Sequence, residues 1–328
     1  QTPTTVSINL DHWFKTDFQM SDKDAREIEN GNYRNTQSAE SIRSLANQLD
    51  ADVFASAYDM VDNAGIGVYN HVGTAGTTPF ASAAALATGW QKGARKLLNR
   101  GLAPKANRYL VIDEDAEGNA GSLDQFVNAG DRGDQGGIIE GEIGRKLGAT
   151  WLMNQNVPTF TGGTLTNGSG KLAKVNEGSD VAAGVASMDI DDTSLSGTVV
   201  VGDVFTVAGD SGYYTVTAAA TAATNAIAGL AFYPGAVDGF ADDAVITFAA
   251  DHVLNLAFHR NAFGLVMAPA EPPGGFTGGN IVERLTDPIT GVTLQLEISR
   301  EYFQNTWRFS MLYGVACVRP QLACRIMG

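Results

Sequence analysis

The chain has 328 residues, with 22 Lys and Arg against 36 Asp and Glu, for a formal charge of -14. That length suffices for one large or two ordinary domains with a full core, and 44% hydrophobic with 9% aromatic residues excludes a disordered chain. So acidic a chain also excludes a surface that wraps DNA or RNA through clustered Lys and Arg. No apolar run reaches the length of a membrane span, and no secretory signal is legible at the start.

In chain order, Val6, Ile8 and Leu10 alternate with Ser7, Asn9 and Asp11, the period of a strand. A polar stretch, Ser21 to Gln37, precedes a helical pattern from Ser38. Ile42, Leu45, Ala46, Leu49, Val53, Ala57, Met60 and Val61 recur there at three- and four-residue steps. The pattern predicts a helix of about 25 residues ending near Gly65. A second helix fits Phe80 to Asn99, with Lys92, Arg95 and Lys96 near its C-terminal end. Arg108 to Asp113 reads as a strand, Leu123 to Val127 as a short helix, Ile138 to Leu147 as helical, and Ala149 to Met153 as extended.

The composition then shifts. From Val175 to Ala250 there is no Lys, Arg or His, while ten Asp and Glu residues occur. Runs such as Thr198-Val199-Val200-Val201, Val204-Phe205-Thr206-Val207 and Tyr213 to Thr217 predict short strands of a small antiparallel barrel or sandwich, inserted into an α+β host. Beyond it come Val253 to Met267, broken by His259-Arg260-Asn261, and the alternating Val292, Leu294, Leu296 and Ile298. Trp307 to Val318 and Leu322 to Ile326 close the sequence.

Candidates for chemistry are few. Asp113-Glu114-Asp115-Ala116-Glu117-Gly118, with Asp124 beyond, approaches a calcium-loop spacing, yet its twelfth position is a short Asp and a strand-like run precedes it; an acidic surface loop is the expectation. Asp189-Ile190-Asp191-Asp192 and Asp242-Asp243 read the same way. The four histidines stand alone and no CxxC occurs, so no zinc site is expected. Cys317 and Cys324 read as reduced, buried thiols suited to a reducing cytoplasm. Gly136-Gly137 and Gly274-Gly275 lack the residues of a phosphate loop, and no nucleophile has a neighbouring base. The expectation is no enzyme activity, no cofactor and no metal. His259-Arg260, inside an apolar run, is either a polar site or a structural, interface-facing pair. Trp13, Phe14 and Phe18 are candidates to pack under an adjacent subunit, or to form local core.

Several runs resemble a known family. Leu256 to Val266 (LAFHRNAFGLV) resembles the strand that follows the insertion in tailed-phage major capsid proteins. Leu312-Tyr313-Gly314-Val315, Arg319-Pro320 and Cys324-Arg325-Ile326 resemble the C-terminus of the short-tailed-phage coat group. Ser44 to Val53 looks like its long spine helix, and Gly144 to Thr161 is similar to the run leading into its inserted domain.

The resemblance implies the Hong Kong 97-like capsid fold: an α+β chain with a long spine helix, a long-stranded sheet, an axial domain and an inserted all-β domain. Residues 1–37 would hold the end of an extended loop, 38–72 and 252–328 the peripheral domain, 73–174 part of the axial domain, and 175–250 the inserted acidic domain. Since 37 residues precede Ser38, the family's N-terminal arm and most of its extended loop are expected to be missing. Implied too are pentamers and hexamers of an icosahedral shell, a scaffolding protein, a portal, and double-stranded DNA enclosed without specific binding. The location would be the virion, assembled in the host cytoplasm, with Trp13, Phe14, Phe18, His259, Arg260 and Arg319 as subunit-interface candidates. A cellular nanocompartment shell shares that fold and is the alternative; a secreted binding or adhesin β-protein is a further one.

Overall fold

The computed structural model describes residues 5–27, 32–57, 71–128, 141, 143–176, 178–210, 212–270, 279–288 and 291–328. Helices and strands are both present and strands predominate. The chain divides into two compact units: Gln1–Val53 with Phe263–Ala316, and Phe54–Ala262 with Cys317–Gly328.

The first unit is a sheet under one long helix. Its strands run in the order His12–Ser21, Gln304–Cys317, Thr293–Glu301, Ile281–Thr286, all antiparallel, and Phe263–Ala268 also pairs with Gln304–Cys317. The front strand is in register from His12 opposite Tyr313 to Ser21 opposite Gln304. Successive side chains point to opposite faces. His12, Phe14, Phe18 and Met20 therefore share a face with Phe309, Met311 and Tyr313, while Trp13, Lys15, Asp17 and Gln19 are exposed on the other. Leu45 and Leu49 of the helix Asn32–Ala55 cover the apolar face.

The helix begins at Asn32, inside the stretch expected to be polar loop, and Asp22–Glu27 is a further short helix. Residues 58–65, the expected end of the long helix, lie outside the described residues. The expected strand at residues 6–10 does not form; the strand starts at His12. The alternation there has no partner strand. Val6 and Leu10 are exposed, and the segment instead crosses over Gly314, where an added Cβ would lie 1.9 Å from the Asn9 carbonyl oxygen. Gly314→Val is expected to displace residues 5–11 from the long strand. Limited proteolysis should then cleave ahead of His12 faster, with the helix Asn32–Ala55 unaffected.

The body of the second unit is a sheet in the order His71–Gly73, Ala323–Met327, His252–His259, Arg108–Ile112, Ala149–Met153, Arg145–Lys146. A helical run lies on it: Ala83–Leu86, a π-helical stretch Ala87–Ala94, then Arg95–Arg100. Gly93 sits where any Cβ would strike Val72 at 2.5 Å, so the glycine allows helix and strand to touch. Trp90, Phe80 and Phe126 gather around Trp151, with ring centroids 5.3–5.9 Å apart. Residues 138–140 and 142 of the helix expected over Ile138 to Leu147 lie outside the described residues, and its end is corrected: Arg145–Lys146 is extended and forms a hairpin with Ala149–Met153. Leu147 and Gly148 turn at positive φ, and the Trp151 indole donates to the Lys146 carbonyl.

Between Thr159–Phe160 and His252–His259, which pair with one another, the chain forms a closed barrel. Its strands run around it as Val204–Val207, Tyr214–Val216, Ala226–Tyr233, Ser187–Asp191, Leu172–Val175 and Val245–Phe248. Phe205, Tyr214, Phe232, Phe240 and Phe248 fill its centre with rings 5.0–5.8 Å apart.

Candidate assembly surfaces

The first unit is held by a small polar clamp within its apolar layer. Tyr313 is fully buried, and its hydroxyl donates to Asp52 Oδ2 at 2.5 Å. The Gln48 amide donates to the other Asp52 oxygen at 3.0 Å, and His12 Nδ1 lies 3.5 Å from Asp52 Oδ2. His12 also stacks on Tyr313 at 5.3 Å. Burial, first, and the Asp52 carboxylate, second, raise the Tyr313 pKa, so the phenol stays protonated as the donor. Front strand, long strand and helix are thus tied at one point.

Of the front aromatics, Phe14 and Phe18 are half-buried against this layer, and Phe18 stacks on Trp307 at 5.3 Å. Trp13 points the other way and is 66% exposed. The most exposed of the unit's other large apolar side chains lie on the edge strand and at a hairpin tip. Ile281 and Leu285 (72% exposed) lie on the edge strand, and Tyr302 and Phe303 (96% and 79%) form the hairpin tip between Thr293–Glu301 and Gln304–Cys317. Sequence reading missed the tip. Its signal was a turn occupied by aromatics where Asn or Gly is usual.

His259, Arg260 and Arg319 meet at one corner of the second unit. His259 is buried at the end of its strand, and its Nδ1 accepts from the Asn261 N–H at 3.2 Å. Arg260 follows in the exposed turn, and the Arg319 and Val318 N–H groups both donate to the Ala262 carbonyl. Arg108, not singled out in the sequence, pairs in register with His259. It is buried with its guanidinium donating to Pro104 O, Asn99 Oδ1 and Ala103 O at 2.6–2.9 Å. The Arg108 guanidinium thus closes the turn that runs from Ala103 into its own strand.

A second buried group lies in the same sheet, where His71, His252 and Arg325 are all buried and Arg325 stands over the Phe160 ring. Burial holds His71 well below its ordinary pKa, with the Arg325 and His252 charges adding to it. Burial lowers His252 too, against the opposing pull of the Ala250 carbonyl and Asp251, with Arg325 and Lys171 acting with burial. His259 is lowered by burial, then by Arg108 and Arg260. A histidine neutral in the fold but protonated when unfolded costs stability once the pH drops below about 6.5, and continues to until its depressed folded pKa is reached. Asp203, raised chiefly by burial, acts in the opposite sense but only toward the carboxylate range. The melting temperature is therefore expected to fall between pH 7 and 5.5, and His71→Gln to shrink that fall; melting curves at the two values check it.

The calcium-like loop is corrected: Glu114–Gly121 is a helix, and its acidic residues occupy the first turn, where they complement the helix dipole. Among the described residues no three His, Cys, Asp or Glu side chains are grouped to hold a metal. Gly136-Gly137 and Gly274-Gly275 lie outside the described residues. Among the described acids of the barrel Asp203 is the buried one, accepting N–H groups from Gly163 and Val200 at 2.8–3.1 Å. Cys317 and Cys324 are free; burial pushes the Cys317 thiol up to about 12 and raises Cys324 as well.

No protein-family description matches the chain, and no curated protein does. Solved structures do match. The chain is similar to the capsid structure of the cyanophage P-SCSP1u at 17% identity, covering 100% of this chain and 77% of that one, with a TM-score of 0.49. It is similar to a structure from Mycobacterium phage Che8 at 15% identity, covering 99% and 76%, with a TM-score of 0.48. The asymmetric unit of the bacteriophage PhiM1 mature capsid matches at 12% identity, covering 98% and 72%, with a TM-score of 0.47. Phage capsid structures are what this chain is similar to. At such identities no side-chain role passes from them to this chain, and the surfaces above rest on its own residues.

Proposed function

We propose that this chain is the structural major capsid protein of a tailed phage, self-assembling into an icosahedral shell around double-stranded DNA. The observation that carries the reading is the scatter of exposed apolar residues in the first unit: Trp13, the edge strand at Leu285, and the tip at Tyr302 and Phe303. A free monomer gains nothing from them, whereas a shell subunit needs several separate weak contacts that close by symmetry. Weak contacts suffice because a neighbour held by one makes the next effectively intramolecular. The sequence resemblance of Leu256–Val266 and Leu312–Val315 supports the same reading.

In this reading the fold is of the Hong Kong 97 type, and residues 175–250, which hold all of the barrel but the start of its strand Leu172–Val175, are an inserted domain whose ten acids keep it from packing on like-charged neighbours. Pentamers and hexamers would form in the host cytoplasm with a scaffolding protein and a portal. An acidic wall would let enclosed DNA slide rather than adhere. Trp13 is the front aromatic free to reach a neighbour, since Phe14 and Phe18 are engaged in their own unit. Sedimentation velocity over a range of concentration and salt tests it. Species far heavier than 34.5 kDa should grow with concentration, and more readily as salt screens the -14 charge; one species at 34.5 kDa throughout would oppose the reading.

A further inference from the structure

We propose that the hairpin tip Tyr302-Phe303 is a knob that inserts into an uncharged groove on a second copy of this chain, a proposal that rests on the shell reading and names one of its contacts. A two-residue hairpin turn ordinarily carries Asn or Gly, because its backbone must turn left-handed. Here Glu301 pairs with Gln304, leaving Tyr302 and Phe303 as the turn, and Phe303 holds φ 56. A bulky side chain in that region is strained and nearly fully exposed, an arrangement that local folding does not favour. The tip is also held in place. The Asp22 N–H donates to the Phe303 carbonyl at 2.8 Å, and Arg300 grips both Asp22 carboxylate oxygens at 2.7 and 3.1 Å. Two rings are thus presented with their backbone already fixed, which lowers the ordering cost of a contact.

The chain also carries a receptor for them. A groove of about 290 Å³ in the second unit is walled by Gly73, Thr74, Phe205, Tyr213, Phe248 and Met327 among others, and none of the residues lining it is charged. Two copies of a chain at -14 repel, so a contact between copies has to use surface without carboxylates. This groove meets that condition, it is apolar, and it has room for an aromatic ring. A knob in one unit and a groove in the other make a head-to-tail contact, the kind that generates rings and extended lattices rather than closed pairs.

Chains carrying Tyr302→Cys are mixed with chains carrying Thr247→Cys, on the groove wall, under mild oxidation. The half-buried Cys317 and buried Cys324, whose thiols desolvation keeps protonated, are poor competitors. The expected result is a disulfide-linked dimer in the mixture at about tenfold the yield of either chain alone or of Tyr302→Cys with Val237→Cys, an exposed barrel position off the groove. Equal yields would overturn the proposal. Independently, the double variant Tyr302→Ser with Phe303→Gly, which accepts the left-handed backbone, should melt no lower than the parent while assembling at least tenfold less. If it assembles like the parent, the knob is wrong and the shell reading stands; if the parent stays monomeric and no cross-link forms, both fall.

Discussion

Tyr313→Ala is expected to remove about 3–5 kcal/mol of stability from the first unit, the range for truncating a large buried aromatic. Tyr313 is fully buried in a layer whose other buried members are Leu45, Phe309 and Met311. It carries the His12 stack, a tilted contact with Phe14 at 6.1 Å, and the hydrogen bond to Asp52. So thin a core cannot close over the cavity, because the opposite face of the sheet is turned outward. Tyr313→Phe keeps the ring and loses only the donor, leaving the Asp52 carboxylate short of one partner; its expected cost is about 1–2 kcal/mol. Urea unfolding of both variants separates the two contributions. Equal losses would mean that the hydroxyl, not the ring, holds helix to sheet.

Phe205→Ala is expected to cost a similar ~3–5 kcal/mol but in a different place. Phe205 is 1% exposed at the middle of the barrel, touching the rings of Tyr214, Phe232 and Phe248. The barrel closes on itself and buries its own set of apolar residues, so the loss should open it as a unit. Hydrogen exchange should show faster exchange across Leu172–Phe248 in the variant, with the strands at Gln304–Cys317 unchanged. Acceleration spread evenly over the chain would contradict an independently stabilised barrel.

Much of the chain was legible because its patterns are local. The β-branched runs at Val204–Val207 and Tyr214–Val216 announce strands whatever their partners, and their spacing narrows the architecture to a barrel or a sandwich, of which the structure forms the barrel. The 3.6-residue period at Leu45 and Leu49 likewise marks a helix with one covered face. What was missed depends on partners distant in sequence. Val6, Ile8 and Leu10 alternate as well as any strand, yet no strand lies beside them and Gly314 leaves room only for a crossing. Phe14, Phe18 and Met20 alternate too, and become a strand because Gln304–Cys317 runs alongside. The helix starts at Asn32 although the residues before Ser38 carry little apolar periodicity; the covered positions lie further along, at Leu45 and Leu49. Glu114–Gly121 read as a loop for its acids and glycine, but carboxylates in a first turn favour a helix. The surfaces were the least legible part. Trp13 was found among hydrophobic neighbours, whereas Tyr302 and Phe303 show their meaning only once a hairpin leaves them exposed.

The central claim is that this chain builds a shell, and electron microscopy of the purified protein, with light scattering on the same sample, tests it most directly. The account predicts closed icosahedral particles, or rings of five and six subunits, with scattering masses that are large multiples of 34.5 kDa. A sample that stays dispersed as single 34.5 kDa chains, at high concentration, at raised salt and with a scaffolding protein supplied, would contradict it.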